Sequence, residues 1–192
     1  DIDHLSININ PKANYLKKLL FLAKHRPSFS LVFDRIKKKK KYNSIKEIIN
    51  EEFKDYQFNG QINNIEHHYA HLSSAFHVSP FKEACILSVD GFGDFASTAW
   101  GYGKENDIKI DKKIFFPHSL GIFYQAITQY LGFKNYGDEY KIMGLAPYGK
   151  PNYINELKKI LLVNSNGSFK LNLDFFKFHK ENFNYKWEDG KV

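Results

Sequence analysis

A chain of 192 residues, 43% hydrophobic and 17% aromatic, holds enough apolar material for one ordinary domain or two small ones, which excludes a disordered polypeptide. Its strongly apolar runs, such as Ala84 to Leu87, are far short of the roughly 20 residues that span a bilayer, and its lone cysteine, Cys85, has no partner for an internal disulfide, so the cytoplasm is the expected compartment and no membrane partner is expected. The formal charge is +7, of which residues 1–60 carry +6 and residues 61–192 only +1.

Residues 1–10 alternate weakly up to Pro11 and suit a strand or an extended lead-in. From Ala13 to His25, Leu16, Leu19, Leu20 and Ala23 recur at three- and four-residue steps, the signature of a helix that Pro27 ends. A lysine-rich helix is expected from about Phe29 to Lys40, holding most of the run Lys37–Lys41. Such a run attracts phosphate backbones or anionic lipid. It lacks the interleaved aromatics that stack on bases, so a solvated face is the preferred reading and nucleic acid an unlikely partner. A third helix follows Asn43-Ser44, where Ser44 and Glu47 have capping-box spacing. Gly60 then resets the chain into a strand, Gln61–Ile65.

The next helix covers His68–Phe76 and closes at Ser79-Pro80. Ala84–Val89 reads as a buried strand ending in Asp90-Gly91, followed by strands at Ser97–Tyr102 and Ile108–Phe116. Pro117-His118-Ser119 introduces a helix that stops near Gly132. A short helix is expected around Glu139–Leu145, another from Pro151 to Leu162, and a strand at Ser168–Leu171; residues 172–192 receive no assignment. The order implies a mixed α/β chain with a boundary near Ser79-Pro80, dividing residues 1–80 from 81–192. With Asp1 in first place and one methionine, Met143, the sequence reads as a piece of a longer protein.

The densest chemistry lies in Glu66-His67-His68-Tyr69-Ala70-His71. On a helix, residues four apart lie about 5–6 Å from one another at Cβ, so His67 and His71 present two imidazoles to one ion, and His68 and His71, three apart, do so almost as well. Spacing alone does not choose between the pairs. A third ligand, usually a carboxylate, completes such a site, and Asp90 stands at the end of the following strand. The loop Asp90-Gly91-Phe92-Gly93-Asp94 lets backbone N–H groups approach an anion without interference from Cβ atoms. Ser119-Leu120-Gly121 opens a helix whose N–H groups suit a second anion, or Ser119 is an ordinary N-cap. Glu139, Lys141 and Gly144 stand in a small and apolar stretch, and residues two apart on a helix do not pair across it.

Four segments, EHHYAHLSSAFHVSPF, ACILSVDGFGD, FPHSLGIFYQAITQYLGF and EYKIMGLAPYGKP, resemble in order and spacing the carbamoyltransferase family of nodulation-factor and antibiotic O-carbamoylation enzymes. A more distant likeness is to tRNA threonylcarbamoyl-transferring ATPase-like proteins, which share the paired-histidine helix. The resemblance implies the actin/sugar-kinase/Hsp70-like architecture, in which two ribonuclease-H-like lobes enclose a nucleotide. Residues 1–80 would then be the tail of the first lobe and 81–192 the start of the second. Its implied chemistry uses carbamoyl phosphate and ATP to make carbamoyladenylate, then passes the carbamoyl group to a hydroxyl of a small-molecule or sugar acceptor.

By the same resemblance, His67 and His71 bind a divalent metal, iron first with zinc and manganese as alternatives, and Asp90 is a further ligand. Gly91 and Gly93 bring N–H groups to phosphate. We assign Gly121, Glu139, Lys141 and Gly144 to the cleft around the adenylate, and His68 as a supporting group or general base. The family's first phosphate loop, a later metal-binding aspartate and a carbamoyl-activating domain are expected in the remainder of the same polypeptide. The alternatives are a tRNA-modifying protein, which the Asp-Gly-Phe-Gly-Asp loop disfavours, and a non-catalytic binding module of the same fold.

Overall fold

A computed structural model describes residues 2–33, 45–55, 57–135 and 137–180. Strand β1 (His4–Ile7) lies parallel to β2 (Gln61–Asn64), with His4 opposite Gln61. The connection between them carries helix α1 (Tyr15–His25), a helical turn over 29–33 and helix α2 (Ile45–Glu52). The rest of the helix expected to Lys40, the run Lys37–Lys41 and Ser44 lie outside the described residues.

The buried face of α1 is not the one its leucine spacing suggests. Leu16 is 73% and Leu20 62% exposed, while Phe21 is buried against the edges of the Phe95 and Phe116 rings. Edge-to-face aromatic packing decides the orientation here, and the leucine stripe looks outward.

Helix α3 (His67–Phe76) lies on a three-stranded antiparallel sheet of β3 (Glu83–Gly93), β4 (Ala96–Lys104) and β5 (Asp107–Phe115), with β4 central. His68, Leu72 and Phe76, spaced four apart, form the buried stripe of α3. Leu72 and Phe76 join Ile86 and Ala99 in the core, which therefore runs across the expected boundary at Ser79-Pro80. Gly103 makes room for this contact: a Cβ there would sit 2.7 Å from the Phe76 ring. The strand expected to be buried from Ala84 to Val89 is buried on one face only. Ile86 and Ser88 point inward, but Leu87 is 65% and Val89 48% exposed, because α3 packs on one face of the sheet and successive side chains alternate between the two faces.

The chain continues through α4 (Leu120–Tyr130), α5 (Glu139–Leu145) and α6 (Ile154–Ile160) to a hairpin of β6 (Leu161–Val163) and β7 (Phe169–Leu171). The helix expected from Pro151 to Leu162 is shorter at both ends. Its last apolar residues, Leu161 and Leu162, pair with Leu171 and Lys170 instead, around a turn that uses Gly167 at φ +77°. Beyond it, Phe178 packs on Phe92 and Phe116, which puts this residue of the unassigned tail beside the glycine loop. Among the described residues no helix is long and apolar enough to cross a membrane.

His118 ties the hairpin to the body by accepting the Leu171 N–H at its Nδ1, 3.2 Å away. Burial, reinforced by Lys170, His25, Lys24 and His179, pushes its pKa from 6.5 down to about 4. The unfolded chain thus takes up the proton first. Stability from this contact is whole above pH 6.5, declines as the pH falls, and is gone below about 4. Hydrogen exchange at the Leu171 amide, corrected for its intrinsic rate, should lose protection across that window. His118→Asn keeps an acceptor and should flatten the dependence.

Candidate metal centre and adjoining cleft

Two acidic residues fix the first turn of α3. Glu66 is its N-cap, with Oε2 accepting the Tyr69 N–H at 2.8 Å, and its Oε1 pairs with Lys113 Nζ of β5 at 2.9 Å. Asp94, on the turn after β3, accepts the His67 N–H at 2.9 Å. Both satisfy or neutralise the positive end of the helix, whose first N–H groups have no partner within it. His67 and His71, one turn apart, then project toward the end of β3.

There the three polar atoms converge. His67 Nε2 is 2.8 Å from Asp90 Oδ2, His71 Nε2 is 3.0 Å from His67 Nε2, and His71 Nε2 is 3.7 Å from Asp90 Oδ2. The other carboxylate oxygen, Oδ1, accepts the Gly91 N–H at 2.6 Å, which fixes the carboxylate plane. Burial pushes the Asp90 pKa upward, but hydrogen bonds from His67 and Gly91 and the charges of both imidazoles outweigh it and hold the carboxyl below its ordinary value.

With neutral imidazoles one hydrogen has to serve both contacts of His67 Nε2. A neutral His67 carries at most one hydrogen on Nε2. If it donates to Asp90, His71 has only a shared hydrogen to approach; if it accepts from His71, its lone pair faces the carboxylate. A cation at the centre would satisfy both contacts at once. Ligand atoms about 2.0–2.2 Å from a metal stand about 2.8–3.6 Å apart along the edges of an octahedron or tetrahedron, close to the three separations seen. Two imidazoles and a carboxylate are a fitting donor set for iron, zinc or manganese.

Gly93 is what admits the His67 ring. A Cβ at that position would lie inside the imidazole, so glycine is required by contact with His67. The sequence assigned Gly93 to phosphate; here its lack of a side chain serves His67. Gly121 acts similarly, since a Cβ there would be 2.7 Å from the Gly91 nitrogen and 2.8 Å from the Asp90 carbonyl. Ser119, fully buried, is the N-cap of α4: its hydroxyl lies 3.1 Å from the Asp90 carbonyl oxygen and 2.8 Å from that of Gly91, and it accepts the Ile122 N–H at 3.1 Å. Helix α4 is thereby pinned against the strand end that carries Asp90.

An open cleft of about 920 Å³ adjoins the cluster, with Asp90 in the wall of both. Gly91, Gly121 and Glu139 line it, with Phe92, Gln125 and Met143. Lys141 and Gly144 are not in its lining: Lys141 Nζ reaches back to Asp138 at 2.7 Å, three residues away. The Gly91 N–H is already held by Asp90, so it is not free for an anion in this state.

His68, assigned as a supporting group or general base, has no access to a reactant. It is fully buried, its Nδ1 is 2.9 Å from Ser88 Oγ, and its Nε2 has no hydrogen-bond partner of standard geometry. Burial lowers its pKa against smaller pulls from the Ala96 backbone and Glu66. Its ring stands edge-on behind His67, with centroids 5.4 Å apart. Asp94, part of the sequence motif but given no role there, is the residue that the sequence reading missed; the only signal was a second acid closing the same glycine turn.

The family model for the carbamoyltransferase N-terminus matches residues 4–187. The chain is 46% identical over 114 residues to an uncharacterized protein of Synechocystis sp., covering 59% of this chain and 18% of that protein. It is 38% identical over 115 residues to nodulation protein NolNO of Sinorhizobium fredii, covering 59% of this chain and 17% of the relative. Nodulation protein NolO of Bradyrhizobium diazoefficiens is 38% identical over 113 residues, 57% of this chain and 20% of that protein. The chain thus spans about a fifth of the length of the curated relatives it matches.

Proposed function

The chain belongs to the carbamoyltransferase family, as its N-terminal part, and we propose that the protein containing it hydrolyses carbamoyl phosphate to carbamate and inorganic phosphate, joins the carbamate to the α-phosphate of ATP with release of pyrophosphate to make carbamoyladenylate, and transfers the carbamoyl group to a hydroxyl of a small-molecule or sugar acceptor with release of AMP. The observation that supports this reading is the convergence of His67, His71 and Asp90 at the rim of an open cleft of about 920 Å³.

In this reading His67, His71 and Asp90 hold a divalent cation, and the remainder of the polypeptide completes its coordination. When bound, such an ion supplies Lewis-acid polarisation of a carbonyl or hydroxyl oxygen. The chain's own residues do the rest. Asp90, shared by the cluster and the cleft, sets the distance between the ion and the adenylate. Glu139 offers an acceptor to ribose hydroxyls, and Gly121 keeps the cleft floor free of side chains at the Asp90-Gly91 peptide. The fold proposed with this function is a partial two-lobed actin-like ATPase, and the compartment proposed is the cytoplasm.

The direct test is pyrophosphate release from ATP by the full-length protein. It should require carbamoyl phosphate and should fall by at least about a hundredfold in a His67→Ala, His71→Ala double variant, the scale of losing a catalytic electrostatic group. Release that ignores carbamoyl phosphate, or survives the double change, contradicts the proposal.

A further inference from the structure

The turn Asp90-Gly91-Phe92-Gly93-Asp94 carries two acids, of which only Asp90 has a role in the cluster described above. Asp94 faces the other way. Its Oδ2 accepts two main-chain N–H groups, from His67 at 2.9 Å and from Asn10 at 2.8 Å, and its own carbonyl accepts the Asn14 side-chain amide at 2.8 Å. One residue therefore fastens three segments far apart in sequence: the link from β1 to α1, the first turn of α3 and the turn from β3 to β4.

The consequence falls on His67. The same five-residue turn holds it at both ends, Asp90 meeting the imidazole and Asp94 the main-chain N–H. Gly93, between them, leaves the space the ring fills. A histidine ligand is useful only if its ring is held in place, and partners beyond the ligands themselves commonly change metal affinity by about 10–100-fold. Asp94 is held in turn by left-handed backbone at φ +48°, followed by Phe95 at φ +74°. Side chains adopt that region at a cost, offset here by the three hydrogen bonds.

We infer that Asp94 is a positioning residue for the metal centre, fixing the backbone of His67 relative to Asp90. The inference rests on the metal-centre reading above and extends it to a residue that would touch neither metal nor substrate.

The test is Co²⁺ titration of the full-length protein, followed by its d–d absorption, with thermal unfolding of the metal-free form in parallel. Because both N–H groups share one oxygen, Asp94→Asn can present its amide oxygen at the same point, and its Co²⁺ affinity should stay within about threefold of wild type. Asp94→Gly suits the left-handed backbone but removes the acceptor. It should weaken Co²⁺ binding about 10–100-fold and alter the d–d spectrum. Asp94→Ser, with a hydroxyl too short to serve both N–H groups, should weaken binding in the same direction and serves should the glycine variant not fold. Wild-type affinity in both Asp94→Gly and Asp94→Ser, with binding lost in the His67→Ala, His71→Ala control, overturns the inference and leaves the metal reading standing. Binding unchanged in that control overturns both. A tenfold loss in Asp94→Asn also contradicts the shared-oxygen argument.

Discussion

Gly93→Ala should cost the protein its metal affinity while changing no ligand. The added Cβ would occupy the space of the His67 ring, which has Asp90 on one side and His71 on the other and cannot retreat without leaving the cluster. Either the ring turns out, removing one of three ligands, or the turn between β3 and β4 shifts and carries Asp90 away. Both routes break the convergence. The expected loss is at least about a hundredfold in divalent-metal affinity, beyond what a supporting contact gives, with a stability cost of about 1–3 kcal/mol typical of overpacking. Metal titration and thermal unfolding of the full-length variant measure the two effects separately. Wild-type affinity would mean that His67 is not held where the structure places it.

Why glycine stands at this position was only partly legible beforehand. In sequence, Gly91 and Gly93 look equivalent, two small residues flanking Phe92 in a loop suited to an anion. The structure separates them: Gly91 has open space around its missing Cβ and faces the cleft, whereas Gly93 abuts an imidazole from a helix more than 20 residues earlier. No local rule reports a contact of that kind.

The histidine helix was more nearly readable. Spacing left two ligand pairs open, His67 with His71 or His68 with His71. The choice is made by the stripe His68, Leu72 and Phe76, whose four-residue steps turn His68 into the core with its apolar neighbours. That stripe was available in the sequence, and its weight outranks the chemistry of a single imidazole. The strands and helices from residue 61 to 145 were legible for the same reason, since local periodicity, Ser119 as a cap and the glycine turns all agree. What escaped depends on tertiary partners. The leucines of α1 look outward while Phe21 packs on Phe95 and Phe116, and β3 has an open face because α3 packs on the other one. Lys141 paired with Asp138 for a helical reason, three residues being one turn, and so stayed out of the cleft wall.

One cation held by His67, His71 and Asp90 is the centre of the proposed chemistry. His71 is about half exposed and lies outside the core stripe, and the core of Leu72, Phe76, Ile86 and Ala99 does not depend on either imidazole. Replacing both histidines with alanine should therefore leave the fold in place while removing both imidazole donors, and without them Asp90 and the oxygen ligands from the rest of the polypeptide should not retain a transition metal against chelators. Elemental analysis of the full-length protein after gel filtration measures this most directly. We expect about one divalent transition-metal ion per chain in the wild type and almost none in the folded double variant. Equal metal content in the two proteins would contradict the site.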